Sequence, residues 1–245
     1  QTLEDVVRES ISEEHDLAAI ASTDEAWANI GGAVTQIASA DGATATLVRR
    51  GVEHRQDDPS EARLGPEVQL AEAGHEIEGA DDKPDVIVLA SGNLGLIYFP
   101  DSEQRLDGDA IDRQFPELLT TLATHPGVGF VMVDSAEGPM VIGADGVHHL
   151  ANGKVTGTDP LTDFGPNAAV HLARNNGFTN APDIYVVSMY DREAGEVAAF
   201  EELVGSHGGL GGMQGHPFAL VPAEWSAEDD EIIGARAMHL QLVKW

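Results

Sequence analysis

Val86-Ile87-Val88-Leu89-Ala90-Ser91-Gly92-Asn93-Leu94-Gly95-Leu96-Ile97-Tyr98-Phe99 sets two apolar runs on either side of a polar trio. Short β-branched runs bounded by turn residues suit strands buried on both faces of a sheet. Downstream, Val128 to Val133 reads as another strand. Met140-Val141-Ile142 is its hairpin partner and Ala144-Asp145-Gly146-Val147 a turn. Ile184 to Ser188 and Phe218-Ala219-Leu220-Val221 are further strand candidates.

Helical spacing falls between these runs. Asp107 or Asp109 is placed to cap a helix over 109–124, where Ile111, Phe115, Leu118, Leu119 and Leu122 share a face and Pro126-Gly127 is the stop. Pro166 opens a helix over 166–175 that ends near Asn176-Gly177, and residues 231–244 carry Ile232, Ile233, Ala237, Leu240 and Val243 at helical spacing. Strands alternating with helices predict an α/β sandwich over residues 85–245.

Residues 1–84 differ in character. Thr2 as N-cap, acidic Glu4 and Asp5, and Leu3, Val6, Val7 and Ile11 predict a helix over 2–14. Trp27, Ile30, Val34 and Ile37 suggest a second, and 44–50 a strand. From Arg55 to Asp85 the chain is Asp, Glu, Gly, Pro and Ala with little periodicity, which reads as an acidic connection.

The chain has 245 residues and carries 42 Asp and Glu against 13 Lys and Arg, a formal charge of −29 that repels phosphate backbones and excludes nucleic acid as the expected partner. A solvated shell explains this acidity more simply than a cation-binding surface. With no cysteine there is neither a disulfide framework nor a thiolate metal site, so any metal must sit on His, Asp or Glu. No apolar run reaches the length of a membrane span, so the chain as given is expected to be soluble.

Gly205-Ser206-His207-Gly208-Gly209-Leu210-Gly211-Gly212 is the strongest chemical candidate, because five glycines in eight residues let backbone approach a ligand. An imidazole on such a loop is a natural zinc ligand, while a tight turn with an exposed histidine is the plain alternative. Ser206, Gly208, Gly209, Gln214 and His216 are candidates to line a pocket around it. Asp145 and His149 have metal-motif spacing but flank a turn, which marks a coincidence. Ser91-Gly92-Asn93 reads as a strand-end turn without a Gly-Asp-Ser nucleophile block. His15, His54, His75, His125, His148, His171 and His239 share no ligand spacing, and Asp183 and Asp191 read as turn residues bracketing a strand.

Several segments together carry a resemblance. They are Gly195 to Val204 leading into the glycine run, Ala90 to Phe99, His125-Pro126-Gly127-Val128-Gly129-Phe130, and Gly143-Ala144-Asp145-Gly146. Taken in chain order they resemble the C-terminal part of actinobacterial membrane-anchored proteins of the type I phosphodiesterase/nucleotide pyrophosphatase family, in the alkaline phosphatase superfamily. The match covers roughly residues 85–245, and Gln1 to Val7 more weakly.

The resemblance implies the C-terminal part of an alkaline-phosphatase-like α/β/α sandwich. It also implies a phosphate-ester substrate, two divalent ions, usually zinc, and His207 as the last metal ligand. The family's nucleophile and its other ligands precede the region matched here, and no Asp-His dipeptide occurs in this chain. The expectation is therefore a fragment of a metal-dependent phosphoric ester hydrolase, inactive alone, from a membrane-associated parent. A non-catalytic binding or accessory α/β domain is the alternative.

Overall fold

The computed structural model describes residues 3–11, 15, 17–21, 84–200, 206–225 and 232–245. The expected helix through Trp27 to Ile37, the strand over 44–50 and nearly all of the acidic stretch lie outside them.

An eight-stranded sheet organises the fold. Its strands are β1 (Leu17–Ala21), β2 (Val86–Ser91), β3 (Leu94–Tyr98), β4 (Val128–Val133), β5 (Met140–Gly143), β6 (Gly146–His149), β7 (Lys154–Gly157) and β8 (Ile184–Ser188), in the order β1-β2-β3-β8-β4-β5-β6-β7. β1 runs parallel to β2, and every other neighbouring pair is antiparallel. The chain is thus mixed α/β around a large, mostly antiparallel sheet.

Burial follows position in that sheet. β8, between β3 and β4 at the centre, is buried at all five residues, the pattern of a strand covered on both faces. β2 and β3 were expected to be buried this way too, yet they alternate. Val86, Val88 and Ala90 are buried while Ile87 and Leu89 are half-buried, because β2 lies nearer the edge, where one face has thinner cover.

Helices cover both faces. On one, α1 (Leu3–Ser10), α2 (Gly108–Gln114) and α3 (Leu118–Thr124) pack Leu3, Val7, Ile111, Leu118 and Leu122 against Val86, Val88, Ile97, Val131 and Val186. On the other, α4 (Ala168–Asn176) brings Ala168 and Leu172 onto Phe130, Met132, Tyr185 and Val187, with Leu161 and Phe164 alongside. Each fully buried aliphatic side chain here contributes about 1.5–3 kcal/mol. Phe130 and Phe164 meet edge to face, with ring centroids 4.9 Å apart.

The single helix expected over 109–124 is two. Pro116 has no N–H to continue the ladder and drives the residue before it out of the helical region, and Phe115 accordingly has φ −133° and ψ 75°. The break is useful to packing, because Phe115 stacks on Phe99 at 4.9 Å. The strand expected at 218–221 is also absent. Pro217 and Pro222 remove a donor at each end, and the segment has no β-partner among the described residues, with Phe218 92% and Leu220 94% exposed.

Other boundaries moved less. The turn expected at 144–147 occupies Ala144 and Asp145, with β6 starting at Gly146, and the final helix, α5 (Gly234–Lys244), begins three residues later than its spacing suggested. β1, β6 and the short polar β7 were not foreseen as strands. No helix among the described residues is long and apolar enough to cross a membrane.

Candidate functional site: a glycine loop clamped on the β2–β3 turn

The trio between the two opening strands is the hub of the site. Antiparallel pairing of β2 with β3 closes on Ser91 opposite Leu94, which leaves Gly92 and Asn93 as the turn. Gly92 has φ +57°, a conformation that side chains rarely adopt. A Cβ placed there would lie 2.6 Å from the amide nitrogen of His207, so the two backbones approach as only glycine allows.

Asn93 is fully buried and uses every polar group it has. Its side-chain amide donates to Leu210 O at 2.9 Å, and its side-chain oxygen accepts from Gly209 N at 2.9 Å. Its backbone N–H donates to His207 O at 3.0 Å, and its carbonyl accepts from Ser188 N at 3.1 Å. One asparagine thus ties residues 207–210 to the end of the central strand. Buried amides left unpaired are costly, so this arrangement fixes the loop.

His207 is held from the side. Ser91 Oγ and His207 Nε2 are 2.9 Å apart, which sets the plane of the ring. Gly208, at φ +87°, faces Leu94 and the carbonyl of Ser91 and stays exposed, whereas Gly209 packs directly on Asn93. Gly211 and Gly212 lie against Tyr190, where added Cβ atoms would fall 3.2 Å from its Cβ and 3.3 Å from its ring, respectively.

The remaining sequence candidates scatter around this clamp. Ser206 Oγ and Gln214 Nε2 are buried with no partner among the described residues. His216, exposed after a 3-10 turn over Gly212–Gly215, reaches a cavity of about 370 Å³ also lined by Gly211, Gly212, His171, Tyr190 and Arg192. Gly208 and Gly209 face the turn instead of that cavity.

Asp145 and His149 do not meet, because Asp145 precedes and His149 ends the four-residue β6, a separation of about 13 Å along an extended strand. Asp183 and Asp191 are turn residues of different kinds. Asp183 is buried and accepts from the backbone of Phe99 at 2.8 Å and of Leu106 at 2.6 Å, pinning the loop that leads to α2. Asp191 accepts from Glu193 and Ala194 in an exposed turn.

Zinc in a structural shell takes four ligands. Among the described residues no group of three or more His, Asp or Glu gathers, so those residues alone do not make such a shell. Asn93 was the residue that sequence reasoning missed. A lone amide between two apolar strands was its available signal.

Comparison with protein-family models, with curated proteins and with solved structures finds no match to this chain.

Proposed function

We propose that the chain is the C-terminal part of a metal-dependent phosphoric ester hydrolase, phosphodiesterase/nucleotide pyrophosphatase-like, in which His207 is a metal ligand. The observation that carries this reading is the clamp itself. A histidine on a glycine loop is oriented by Ser91 and immobilised by Asn93 at the end of a central strand. Ligand histidines are characteristically held by such an outer hydrogen bond, which fixes the ring. The resemblance of the surrounding segments supports the same reading, and a mixed sheet with helices on both faces is compatible with it.

Two divalent ions, zinc by that resemblance, would polarise the phosphoryl group and steady the leaving oxygen. The chain's own residues orient His207 and keep side chains away from the exposed backbone at Gly208. The nucleophile and the other ligands belong to a preceding part of a membrane-anchored parent, so the 245-residue chain alone should be a poor catalyst.

The coding sequence ahead of Gln1 tests this. An in-frame Asp, a Thr or Ser nucleophile and an Asp-His-Gly motif support it, and a start codon at that position contradicts it. Zinc-dependent hydrolysis of a nitrophenyl phosphodiester by the isolated chain, abolished in His207→Ala, would place the whole site within these residues instead. The rival, a binding or accessory domain whose loop only shapes a surface, predicts no zinc affinity at His207.

A further inference from the structure

The cavity beside the glycine loop has walls unusually poor in carboxylate for this protein. The chain carries 42 acidic residues against 13 Lys and Arg, yet the lining holds Arg192, His171 and His216 with one carboxylate, Asp163. Arg192 Nη1 donates to Asp163 Oδ1 at 2.9 Å. Their side chains are 70% and 39% exposed, so the pair sits at the mouth, and it engages one of the five guanidinium donors.

The rest of the wall is rigid and partly apolar. Phe164 is locked edge to face on Phe130, Tyr190 is backed by Gly211 and Gly212, and Leu210 is tied through its carbonyl to Asn93. At about 370 Å³ the space is within the range of small-ligand pockets. It also borders the same loop that carries His207, three residues before Leu210.

The geometry points to a subsite for an organic phosphate, in which Arg192, His171 and His216 meet the anionic phosphoryl group and Phe164, Tyr190 and Leu210 pack against an apolar substituent. It would hold a second phosphoryl group, with its attached organic part, of the ester whose reacting phosphorus lies nearer His207. A subsite in that role presupposes the metal-bearing reading of His207, but its ligand affinity is separately measurable.

Phenyl phosphate, inorganic phosphate and phenol are titrated into the 245-residue chain while the histidine ring resonances are followed by NMR. Signals of His171 and His216 are identified through His171→Gln and His216→Gln. Phenyl phosphate should shift both saturably and bind more tightly than either smaller probe. Arg192→Gln, at an exposed position tolerant of change, should weaken it roughly tenfold, the scale of one charge-assisted hydrogen bond.

Equal binding of inorganic phosphate would reduce the site to one for free anions. Equal binding of phenol, no saturable shift, or indifference to both Arg192→Gln and His216→Gln would overturn the subsite. His207→Ala should leave phenyl phosphate binding intact. Ester binding by the chain, with zinc affinity of the complete parent unchanged by His207→Ala, would sink the metal reading and keep the subsite, and His207-dependent zinc affinity of the parent without ester binding would do the reverse.

Discussion

Ser91 Oγ and His207 Nε2 lie 2.9 Å apart although 116 residues separate them in the chain. The contact joins the β2–β3 hairpin to the glycine loop, and it gives the last residue of β2 a second task in orienting a candidate ligand. Removing the hydroxyl leaves the turn backbone in place. Ser91→Ala should therefore weaken zinc binding roughly tenfold, the usual scale for loss of an orienting partner, with little change in unfolding free energy. Competition titration against a zinc indicator, on the chain joined to the part that supplies the other ligands, measures it, and an unchanged affinity would remove Ser91 from the site.

Asn93 is the mechanical centre of the clamp. Asn93→Ala strands the amide of Gly209 and the carbonyl of Leu210 and should cost roughly 2–4 kcal/mol in urea unfolding. Asn93→Asp keeps one acceptor but loses the donor to Leu210 and buries a charge, so it should be at least as damaging. A loss below about 0.5 kcal/mol for both variants would mean the loop is held elsewhere.

Glycines at the two ends of the site should respond differently. Gly92→Ala places a methyl group against the His207 backbone at φ +57°, whereas Gly215 meets nothing within 4 Å and has no positive φ. Gly92→Ala should displace the loop and destabilise by more than about 2 kcal/mol, and Gly215→Ala should stay within about 0.5 kcal/mol. Thermal melts of the pair decide it, and equal effects would contradict the close approach.

Alkaline stability should report on two phenols at the far end of the sheet. Burial raises the Tyr98 pKa above its ordinary 10.0, helped by Asp183 and opposed by Arg105. Burial likewise raises that of Tyr185, with Arg105 opposing and Tyr98 adding. The folded chain holds both protons more tightly than the unfolded one. Their contribution is therefore full below about pH 10 and is lost as pH rises through the folded-state values. Replacing both by Phe should flatten the fall in urea stability above about pH 10, and an unaltered slope would contradict this.

Much of the sheet was legible because its central strands are short β-branched runs, as at Val128 to Val133 and Ile184 to Ser188, whose burial admits few other structures. The helix over 109–124 was read as continuous because its apolar face is continuous. Pro116 broke the backbone without breaking that face, so Ile111 and Leu118 still share one core. Phe218 to Val221 misled for the opposite reason. Local composition favoured a strand, but flanking prolines and the absence of a partner among the described residues left it exposed.

At the site, His207 stood out through its glycines, a local signal. The roles of Ser91 and Asn93 depend on contacts spanning more than a hundred residues, which spacing does not reveal. The cavity wall of His171, Arg192 and His216 is likewise assembled from three separate segments.

The central claim is that His207 binds a metal ion, and zinc titration of the chain joined to the preceding part that supplies the other ligands, followed by histidine NMR, tests it most directly. The account predicts that His207 ring signals shift first, that His207→Ala abolishes the first binding event, and that Ser91→Ala weakens it. Zinc binding of equal strength in His207→Ala, or first shifts confined to His171 and His216, would contradict it.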